Sequence, residues 1–459
     1  MKFIWIHSLL TPLSVLLTLL FVSSILRSKR AAGSTIAWLL LICVFPYIGI
    51  PIYLFLSTRK VKGNSSSAIN TTTSARDKVK VQELTPIERI LSASGSPSVK
   101  KNASIELLTT GILAFGTIEK MIATAKDTIY ITTFIFGDDP VGIAMENALA
   151  KKASEGVDVR VIVDSLGATL IRHPSFQRLL KNGGKIAYFM PVFHLPFRGR
   201  TNLRNHRKLI VVDGKNAILG GMNLAQEYLG PTANTKQWVD LSVQITGDCV
   251  NDIQSTFLKD WAYVSHHPSS EIPSPLKSSS SGEILAQVVA SGPDVHEDTI
   301  YDVLISSIYA AKKSIQVITP YFIPDESLTK ALQLAAKRGV AIQIVIPKRS
   351  NHRLADFARG SFIRQLDENG VKICFFPRMI HAKAVMIDRS VAILGSANFD
   401  MRSLLLNYEL GLIIYSEKTL QDVEKWIDAL ISETSSGISR PSFIRELCEG
   451  IGRVIGPIL

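Results

Sequence analysis

One pattern of residues occurs twice in this chain of 459 residues, in the same order and with the same spacing. Each copy has a histidine, a lysine, an aspartate and, after a glycine-containing segment, an asparagine. The copies are His206, Lys208, Asp213 and Asn223, and His381, Lys383, Asp388 and Asn398. A pattern repeated at this distance predicts two similar halves, which restricts the folds open to the chain more than any single motif does.

The segments before each copy repeat as well. In each half an apolar run is followed by a helical pattern that stops at a glycine, and then by a second apolar run. These segments are 128–136, Gly156 and 159–164 in the first half, and 314–322, Gly339 and 341–346 in the second. Strand, helix and strand in this order are typical of βαβ units. We therefore predict an α/β fold with mixed, largely parallel sheets flanked by helices, whose halves form one catalytic unit.

The histidine and lysine of each copy lead into an apolar run that predicts a β-strand. Residues at positions i and i+2 of a strand share one face, so an imidazole and an ammonium group lie side by side. That pair suits a phosphodiester. A single pair of this kind arises by chance in many proteins. Two copies with the same downstream residues favour a catalytic role for both pairs.

The residues after each lysine have less specific assignments. Asp213 and Asp388 are candidates for the catalytic set, but an aspartate in a hairpin turn is an equally good interpretation, and we expect a supporting role. Asn223 and Asn398 are amide donors suited to a phosphate oxygen. Ser396 is a further phosphate donor, or a residue that merely fits where Gly221 fits in the first copy.

The paired motif resembles that of the phospholipase D superfamily, in which two H-x-K-x4-D motifs meet at one active site. The resemblance covers residues 100 to 440. It implies that one histidine attacks phosphorus to form a phosphohistidine while the other acts as general acid and base. His206 is favoured as the nucleophile by resemblance, although the symmetry of the motifs leaves the two roles open. Lys208, Lys383 and the two asparagines would then stabilise the phosphate oxygens, with neither metal nor cofactor.

Each imidazole also needs a partner on its second ring nitrogen. Asp240 and Glu409 follow the two motifs and resemble the acidic residues that pair with the histidines in that superfamily. The alternative is that both are carboxylates at the exposed ends of strands, although their apolar neighbours argue against exposure.

Composition limits the possible partners. The 51 Lys and Arg against 39 Asp and Glu give a formal charge of +12, yet 46% of residues are hydrophobic, which excludes a disordered polycation. Such a charge fits nucleic acid, anionic lipid or phosphate substrates. The four cysteines lack the spacing of a disulfide framework or a zinc site.

Two long uncharged segments lie at the N-terminus, at 3–26 and 31–58. Each exceeds the roughly 20 apolar residues that cross a bilayer, so we predict a hairpin of two transmembrane helices. A cleaved signal peptide is the alternative for the first segment, which is too long for one. Two crossings would leave the N-terminus and the catalytic region on the same side of the cell (inner) membrane. We expect that side to be cytoplasmic, although the flanking basic residues are nearly balanced.

The remaining boundaries follow from changes in composition. We predict the hairpin at 1–60, a polar tether at 61–98, the first repeat at 99–265, a Ser/Pro-rich linker at 266–282 and the second repeat at 283–459. The second repeat ends in an amphipathic segment from Arg440, which either lies on the membrane or packs against the catalytic core.

Several segments resemble bacterial cardiolipin synthases in particular. They are the hairpin around Trp38, 319–325, 351–354, 395–403 and 406–409. The resemblance implies transfer of a phosphatidyl group from one phosphatidylglycerol to another, releasing glycerol. Phosphatidylglycerol and anionic membrane lipid are the expected partners, without nucleic acid, and the oligomeric state is open. The alternatives are a phospholipase D that hydrolyses lipids, another phosphatidyltransferase, a nuclease and a non-enzymatic membrane adaptor.

Overall fold

The structure of the chain is a computed structural model. It describes residues 2–28, 32–56, 58–60, 85–170, 176–191, 201–265, 282–295, 297–438, 441–442, 445–446 and 449–450. Most of the predicted tether, linker and C-terminal amphipathic segment therefore lies outside the described residues. The chain divides into two units, residues 1–59 with 191–203, and residues 60–190 with 204–459.

The N-terminal region of the first unit is helical, with α1 at Lys2–Arg27, α2 at Ala32–Val44 and α3 at Pro46–Leu56. The second apolar segment, predicted as one helix, is thus two helices separated at Phe45. The proline at the start of α3 has no N–H to continue the ladder of α2. The N–H of Gly49 then donates to the Phe45 carbonyl (2.7 Å), which begins the new helix. Within the portion of this unit that the structure describes, we find no helix that is both long and apolar enough to cross a membrane.

The second unit contains one large sheet. Its first-half strands are β1 (Lys100–Leu108), β2 (Thr128–Thr133), β3 (Asp158–Asp164), β4 (Lys185–Phe189), β5 (Leu209–Val212), β6 (Asn216–Gly220) and β7 (Ser242–Gly247). Its second-half strands are β8 (Ile284–Ser291), β9 (Ser314–Ile318), β11 (Ala341–Pro347), β12 (Lys372–Phe376), β13 (Ala384–Ile387), β14 (Val391–Gly395) and β16 (Glu409–Ile414). Two short strands, β10 (Phe322–Ile323) and β15 (Phe399–Asp400), pair separately.

Strand order confirms that the two halves repeat one another. From one edge to the middle the order is β12-β11-β9-β13-β14-β16-β8, and from the other edge it is β4-β3-β2-β5-β6-β7-β1. Each strand of one half therefore has a counterpart at the same place in the other. The halves join where β1 and β8 pair antiparallel, with Lys100 opposite Ala286.

Helices cover both halves of the sheet. Along the chain up to residue 265 they are α4 (Pro86–Ala93), which packs on the second half, and α5 (Gly111–Thr124), α6 (Pro140–Ser154), α7 (Ser165–Leu170), α8 (Gln177–Lys181) and α9 (Cys249–Ser265). In the second half they are α10 (Thr299–Ala310), α11 (Glu326–Lys337), α12 (Arg353–Asp367), α13 (Met401–Leu405) and α14 (Glu417–Ser432). The predicted stops at Gly156 and Gly339 follow α6 and α11, and both glycines have the positive φ that ends a helix (91° and 87°). Each half has its own apolar core between helices and sheet.

The prediction of a largely parallel sheet was wrong. Among the described strands of the large sheet, four neighbouring pairs are parallel and nine are antiparallel. The parallel pairs lie where a helix connects the strands, as in β2-α6-β3 and β9-α11-β11. The motif strands are instead joined by tight turns, β5 to β6 at Asp213 and β13 to β14 at Asp388, and a tight turn can connect only antiparallel neighbours.

Helix α4 lies within the segment predicted as a tether. Thr85 caps the helix by accepting from the N–H of Glu88, whose side chain reaches back to Thr85. Ile87 and Leu91 are buried in the apolar core of the second half. The chain thus packs against the second repeat before it enters the first strand of the first repeat.

Candidate active site

Backbone hydrogen bonds join each motif to the opposite half. The N–H of His206 donates to the carbonyl of Tyr408 (2.9 Å), and the N–H of His381 donates to the carbonyl of Val239 (2.6 Å). Tyr408 and Val239 each stand directly before an acidic residue of their own half. The backbone therefore sets the histidine of one half beside the carboxylate of the other.

The two histidines and two carboxylates pair across the halves. Nδ1 of His206 lies 2.9 Å from Oε1 of Glu409, and Nδ1 of His381 lies 2.7 Å from Oδ2 of Asp240. Both carboxylates are almost completely buried. The sequence identified Asp240 and Glu409 as candidates but left open which histidine each contacts. Because a carboxylate beside Nδ1 fixes the tautomer, Nε2 is the nitrogen left to face a substrate.

Each lysine lies next to its own histidine, as the spacing predicted. Nζ of Lys208 donates to the carbonyl of His206 (2.8 Å). Nζ of Lys383 donates to the carbonyl of His381 and lies 2.7 Å from its Nδ1. The strands begin one residue after each lysine, so the pairs lie in the extended segments that lead into β5 and β13. Within the described ranges, no group of three or more His, Cys, Asp or Glu is arranged to hold a metal ion.

Burial keeps both imidazoles neutral at physiological pH. It is the main cause that lowers the pKa of His206 to about 4, an effect that Glu409 opposes and Lys208 reinforces. Burial also lowers the pKa of His381 to about 3, reinforced by Lys383 and opposed by Asp240. A neutral imidazole with Nδ1–H held by a carboxylate has its lone pair on Nε2, as a nucleophile or general base requires. In His381 this nitrogen lies 3.1 Å from Nζ of Lys383.

The lysines are also affected by burial. It lowers the pKa of Lys208 to about 7 and that of Lys383 to about 8, with the buried carboxylates opposing the change. The charge of Lys383 further lowers the pKa of Lys208, so the two motifs act on each other electrostatically. Burial alone would raise the pKa of Asp240, but its interaction with His381, which includes a hydrogen bond, and the charge of Lys383 bring it below its ordinary value. An anionic phosphodiester would stabilise the charged form of both lysines.

The motif aspartates lie at the far ends of β5 and β13, away from the lysines. Asp213 and Asp388 both have the left-handed conformation of a hairpin turn, with φ of 52°. The carboxylate of each accepts three backbone N–H groups where the adjacent strand begins, including those of Thr128 (2.9 Å) and Ser314 (2.9 Å). This position does not fit a direct catalytic role for either aspartate. The geometry favours the interpretation of both as turn residues that support the motif strand.

The two asparagines differ in their contacts. Oδ1 of Asn223 accepts from the N–H of Ile135 (3.1 Å). Oδ1 of Asn398 is buried and has no hydrogen-bond partner among the described residues. The pair predicted for phosphate oxygens is therefore equivalent in sequence but not in local bonding.

Ser396 contacts a carboxylate. Its Oγ donates to the side chain of Glu409 and accepts from the N–H of Leu410 (3.0 Å). Its counterpart Gly221 has no room for a side chain, because a Cβ there would lie 2.1 Å from Oδ1 of Asp240. The serine thus supports the longer acid of the second half, whereas the glycine makes space for the shorter acid of the first.

Sequence reasoning missed a buried network behind His206. Arg207 lies 2.5 Å from Asp260, donates to the backbone carbonyl of Glu409 (3.2 Å) and stacks 5.2 Å from the ring of Tyr408. The position between histidine and lysine is Ala382 in the second copy. The available signal was this difference between the copies, because a charged side chain at a position that alanine occupies in the other copy is expected to need a partner of its own.

Aromatic rings beside the histidines were also missed. Phe134 lies 5.4 Å from the His206 ring, and Tyr228 and Trp238 lie 5.0 and 5.5 Å from the His381 ring. These rings exclude water from the imidazoles, consistent with the lowered pKa values. The signal was the position of Trp238, two residues before Asp240.

Comparison with family models finds two matches. The model described as "Cardiolipin synthase, PLD-like domain" matches residues 118–261 and 304–431. A second, described as "Phospholipase_D-nuclease N-terminal", matches residues 16–57. The first model thus covers the motif of each half, and the second covers part of the N-terminal helical region.

Curated relatives match over nearly the full chain. The major cardiolipin synthase ClsA of Bacillus subtilis is 31% identical, over 97% of this chain and 99% of its own. A cardiolipin synthase of Clostridium perfringens is 31% identical, over 94% of this chain and 95% of its own. Among solved structures, a phosphatidylserine synthase of Haemophilus influenzae superposes with a TM-score of 0.62 at 17% identity. It covers 82% of this chain and all of its own, which shows a shared fold.

Proposed function

This chain belongs to the family of cardiolipin synthases with a phospholipase D-like domain and is a phosphatidyltransferase, and from that premise we propose how its site makes cardiolipin. Two phosphatidylglycerol molecules react, one giving its phosphatidyl group and the other its glycerol hydroxyl. The products are cardiolipin and glycerol. The observation that carries the proposal is the crossed pairing of two buried histidines with two buried carboxylates, beside two lysines.

In the first step, Nε2 of one histidine attacks phosphorus. A phosphorus–nitrogen bond forms and the bond to the glycerol head group breaks. The second histidine supplies a proton to the departing alkoxide. Resemblance favours His206 as the nucleophile and His381 as the acid. The low pKa of His381 suits this role only once substrate is bound, because an anionic phosphodiester next to the imidazole raises its pKa.

In the second step, the glycerol hydroxyl of another phosphatidylglycerol attacks the phosphohistidine. The acid–base histidine removes the hydroxyl proton as the phosphorus–nitrogen bond breaks, which restores both imidazoles. The acid–base histidine gives one proton to the leaving glycerol in the first step and takes one from the attacking hydroxyl in the second. The number of protons on the enzyme is therefore the same at the end of the cycle as at its start. Glu409 and Asp240 hold the rings in the tautomer that both steps need.

The phosphate oxygens are bound in this proposal by Lys208, Lys383, Asn223 and Asn398. The two ammonium groups stabilise the negative charge on the non-bridging phosphate oxygens in the transition state. Oδ1 of Asn223 accepts a hydrogen bond that orients its amide, whereas Oδ1 of Asn398 has no such partner among the described residues. Ser396 does not bind phosphate in this proposal but holds Glu409 in place with a hydrogen bond.

The enzyme is membrane-associated, and we propose the finer arrangement predicted from the sequence. The apolar helices of residues 1–60 hold it in the cell (inner) membrane as a multi-pass protein. The catalytic region shares the cytoplasmic side with the N-terminus, and residues 61–98 and 266–282 connect the hairpin and the two repeats. The uncharged N-terminal sequence supports this proposal. Labelling of introduced cysteines at Ser28 and Thr85 from each side of sealed vesicles would test it.

The test of the chemistry is incubation of the purified full chain with phosphatidylglycerol alone. We expect cardiolipin and glycerol in equal amounts, and a phosphorylated histidine after acid quenching. His206→Ala and His381→Ala should each abolish transfer without altering membrane association. Phosphatidate without cardiolipin would instead identify a lipid hydrolase, and retained transfer in both variants would overturn the mechanism.

A further inference from the structure

Helix α12 begins at the end of the sheet that carries the site. Strands β9 and β11 are parallel, so their last residues lie at the same edge. The hydroxyl of Tyr321, after β9, donates to Oδ1 of Asn351, after β11 (2.6 Å). His352 then caps α12 by accepting from the N–H of Ala355 (3.2 Å). The first turns of α12 are thereby attached to the chain that follows β9.

Two large apolar side chains on this helix face solvent. Leu354 is 61% exposed and Phe357 is 48% exposed. They are three residues apart, so they share one side of the helix. Exposed apolar side chains standing singly are ordinary, but a pair at the edge of an active site points to a binding surface.

The first half has a similar pair near His381. Ile112 and Leu113, in the first turn of α5, are 41% and 47% exposed. The preceding Gly111 lies against the backbone of Tyr228, since a Cβ there would be 2.3 Å from the Tyr228 carbonyl. The Tyr228 ring contacts the His381 ring at 5.0 Å. We call Ile112, Leu113, Leu354 and Phe357 the apolar rim.

Tyr228 and Tyr321 connect the two parts of the rim. Ile318, the last residue of β9, pairs with Ala384, which directly follows Lys383 of the second motif. The chain from β9 to Tyr321 therefore leaves the sheet beside the His381 motif, which the Tyr228 ring contacts from the first half.

Positive charge accompanies the α12 side of the rim. Lys348, Arg349 and Arg353 are exposed. None of the three forms an ion pair with a carboxylate in the part of the chain that the structure describes. Apolar side chains flanked by cations are the combination that binds an anionic bilayer surface, where the cations meet phosphates and the apolar groups enter the acyl boundary.

We propose that the apolar rim and its three cations rest on the surface of an anionic lipid bilayer, with Leu354 and Phe357 inserted among the lipids. The rim then lets a phosphodiester pass to His381 while the acyl chains stay in an apolar environment. This role for lipid entry rests on the proposed function, whereas contact with the bilayer does not.

The first experiment measures contact without measuring activity. The full chain, with Cys43 and Cys448 replaced by serine, carries Phe357→Cys with an environment-sensitive fluorophore and is reconstituted in phosphatidylglycerol vesicles. Tyr309→Cys is the matched control, because Tyr309 is also 48% exposed but lies at the end of α10 that leads into the start of β9. We expect label emission at 357 to shift to the blue and rise about threefold, with no change at 309.

Vesicles of phosphatidylcholine should give a clearly smaller response at position 357. Equal responses at 357 and 309, or none at 357, would overturn the proposal. Equal responses in the two lipids would overturn the role of the three cations.

The second experiment separates surface binding from chemistry. With Leu354→Ser and Phe357→Ser together, we expect the KM for vesicle phosphatidylglycerol to rise about tenfold, with kcat unchanged. With short-chain phosphatidylglycerol as monomers, both constants should match the parent, and Tyr309→Ser should match it throughout. An equal loss with both substrates would overturn the role in lipid entry. If the parent makes no cardiolipin, the proposed function fails while the fluorescence result stands.

Discussion

The two copies of the motif share a backbone but differ in what surrounds each histidine. His206 faces Glu409, which Ser396 supports, and the adjacent Arg207 ties the backbone of that acid to a buried network. His381 faces the shorter Asp240 and has aromatic rings close to its own. Both imidazoles are therefore held by a carboxylate, but His206 has one aromatic ring beside it and His381 has two.

The difference shows which parts of a duplicated site were free to diverge. The groups that would meet phosphorus, the two His–Lys pairs, are identical in type and spacing. The residues that hold them differ in length, charge and volume, as Gly221 and Ser396 illustrate. In the proposed mechanism the two histidines need opposite protonation states, and unequal surroundings are then an advantage.

The largest expected effect comes from the carboxylates. Glu409→Gln and Asp240→Asn each keep the shape of the side chain but remove the charge that fixes the tautomer, so kcat should fall by roughly 10²–10⁴. Asp240→Asn should cost more, because Glu409 stands among other polar groups. Steady-state transfer assays of both variants would measure this. Equal activity to the parent in either variant would show that the crossed pairing has no catalytic role.

The next effect concerns stability. Burial alone would lower the pKa of Arg207, but Asp260 and Asp294 carry it above its ordinary value. Arg207→Ala would leave Asp260 buried without its cation, and we expect a loss of about 3–5 kcal/mol in the free energy of unfolding.

Arg378→Ala is the matched control, since its pair with Glu433 is half exposed and should contribute less than about 1 kcal/mol. Denaturant unfolding of the purified proteins in detergent would compare them. A loss in Arg207→Ala no greater than in Arg378→Ala would contradict the buried network.

A third prediction exchanges one difference between the halves. Gly221→Ser gives the first half the residue of the second, but its Cβ would displace Asp240 from His381, so we expect transfer to fall by about 100-fold. Ser396→Gly removes the hydrogen bond to Glu409 and the one from the N–H of Leu410 but displaces neither acid, so it should reduce transfer by about tenfold. If both substitutions reduced transfer equally, the two acids would have equivalent surroundings.

The smallest predicted effect is a difference in pH dependence. An ammonium binds an anionic phosphodiester only while protonated, so affinity is highest below the lower lysine pKa and falls as the pH rises through it. In the parent, kcat/KM for phosphatidylglycerol should fall above about pH 7, set by Lys208.

In Lys208→Gln the fall should begin near pH 8, set by Lys383. Lys383→Gln should keep the fall at or above pH 7, because the charge that lowers the Lys208 pKa is gone. Identical profiles in all three proteins would contradict this assignment of the lysines.

Local sequence signals predicted much of the fold and of the site. Spacing identified the His–Lys pairs, and the glycines after α6 and α11 marked where those helices end. The relative direction of most neighbouring strands was mispredicted because the prediction rested on the βαβ segments alone. It left out the short turns at Asp213 and Asp388, which can join only antiparallel neighbours. The partner of each histidine was beyond sequence reasoning, because it depends on how the two halves face each other.

The same limit explains Ser396 and Arg207. Ser396 can contact either a phosphate or Glu409, and the sequence does not decide between them. Glu409 comes within reach only once β14 and β16 have paired. Arg207 pairs with Asp260, which lies on α9, the helix that follows β7. Neither contact leaves a periodic pattern in the chain.

The crossed pairing also affects the protein during synthesis. Glu409 lies 203 positions after His206, so the ribosome releases the first histidine long before the acid that orients it exists. A chain that ends before Glu409 therefore leaves the His206 imidazole without the carboxylate that fixes its tautomer, and we expect it to be inactive. We therefore expect activity only after Glu409 has been synthesised and both repeats have folded together.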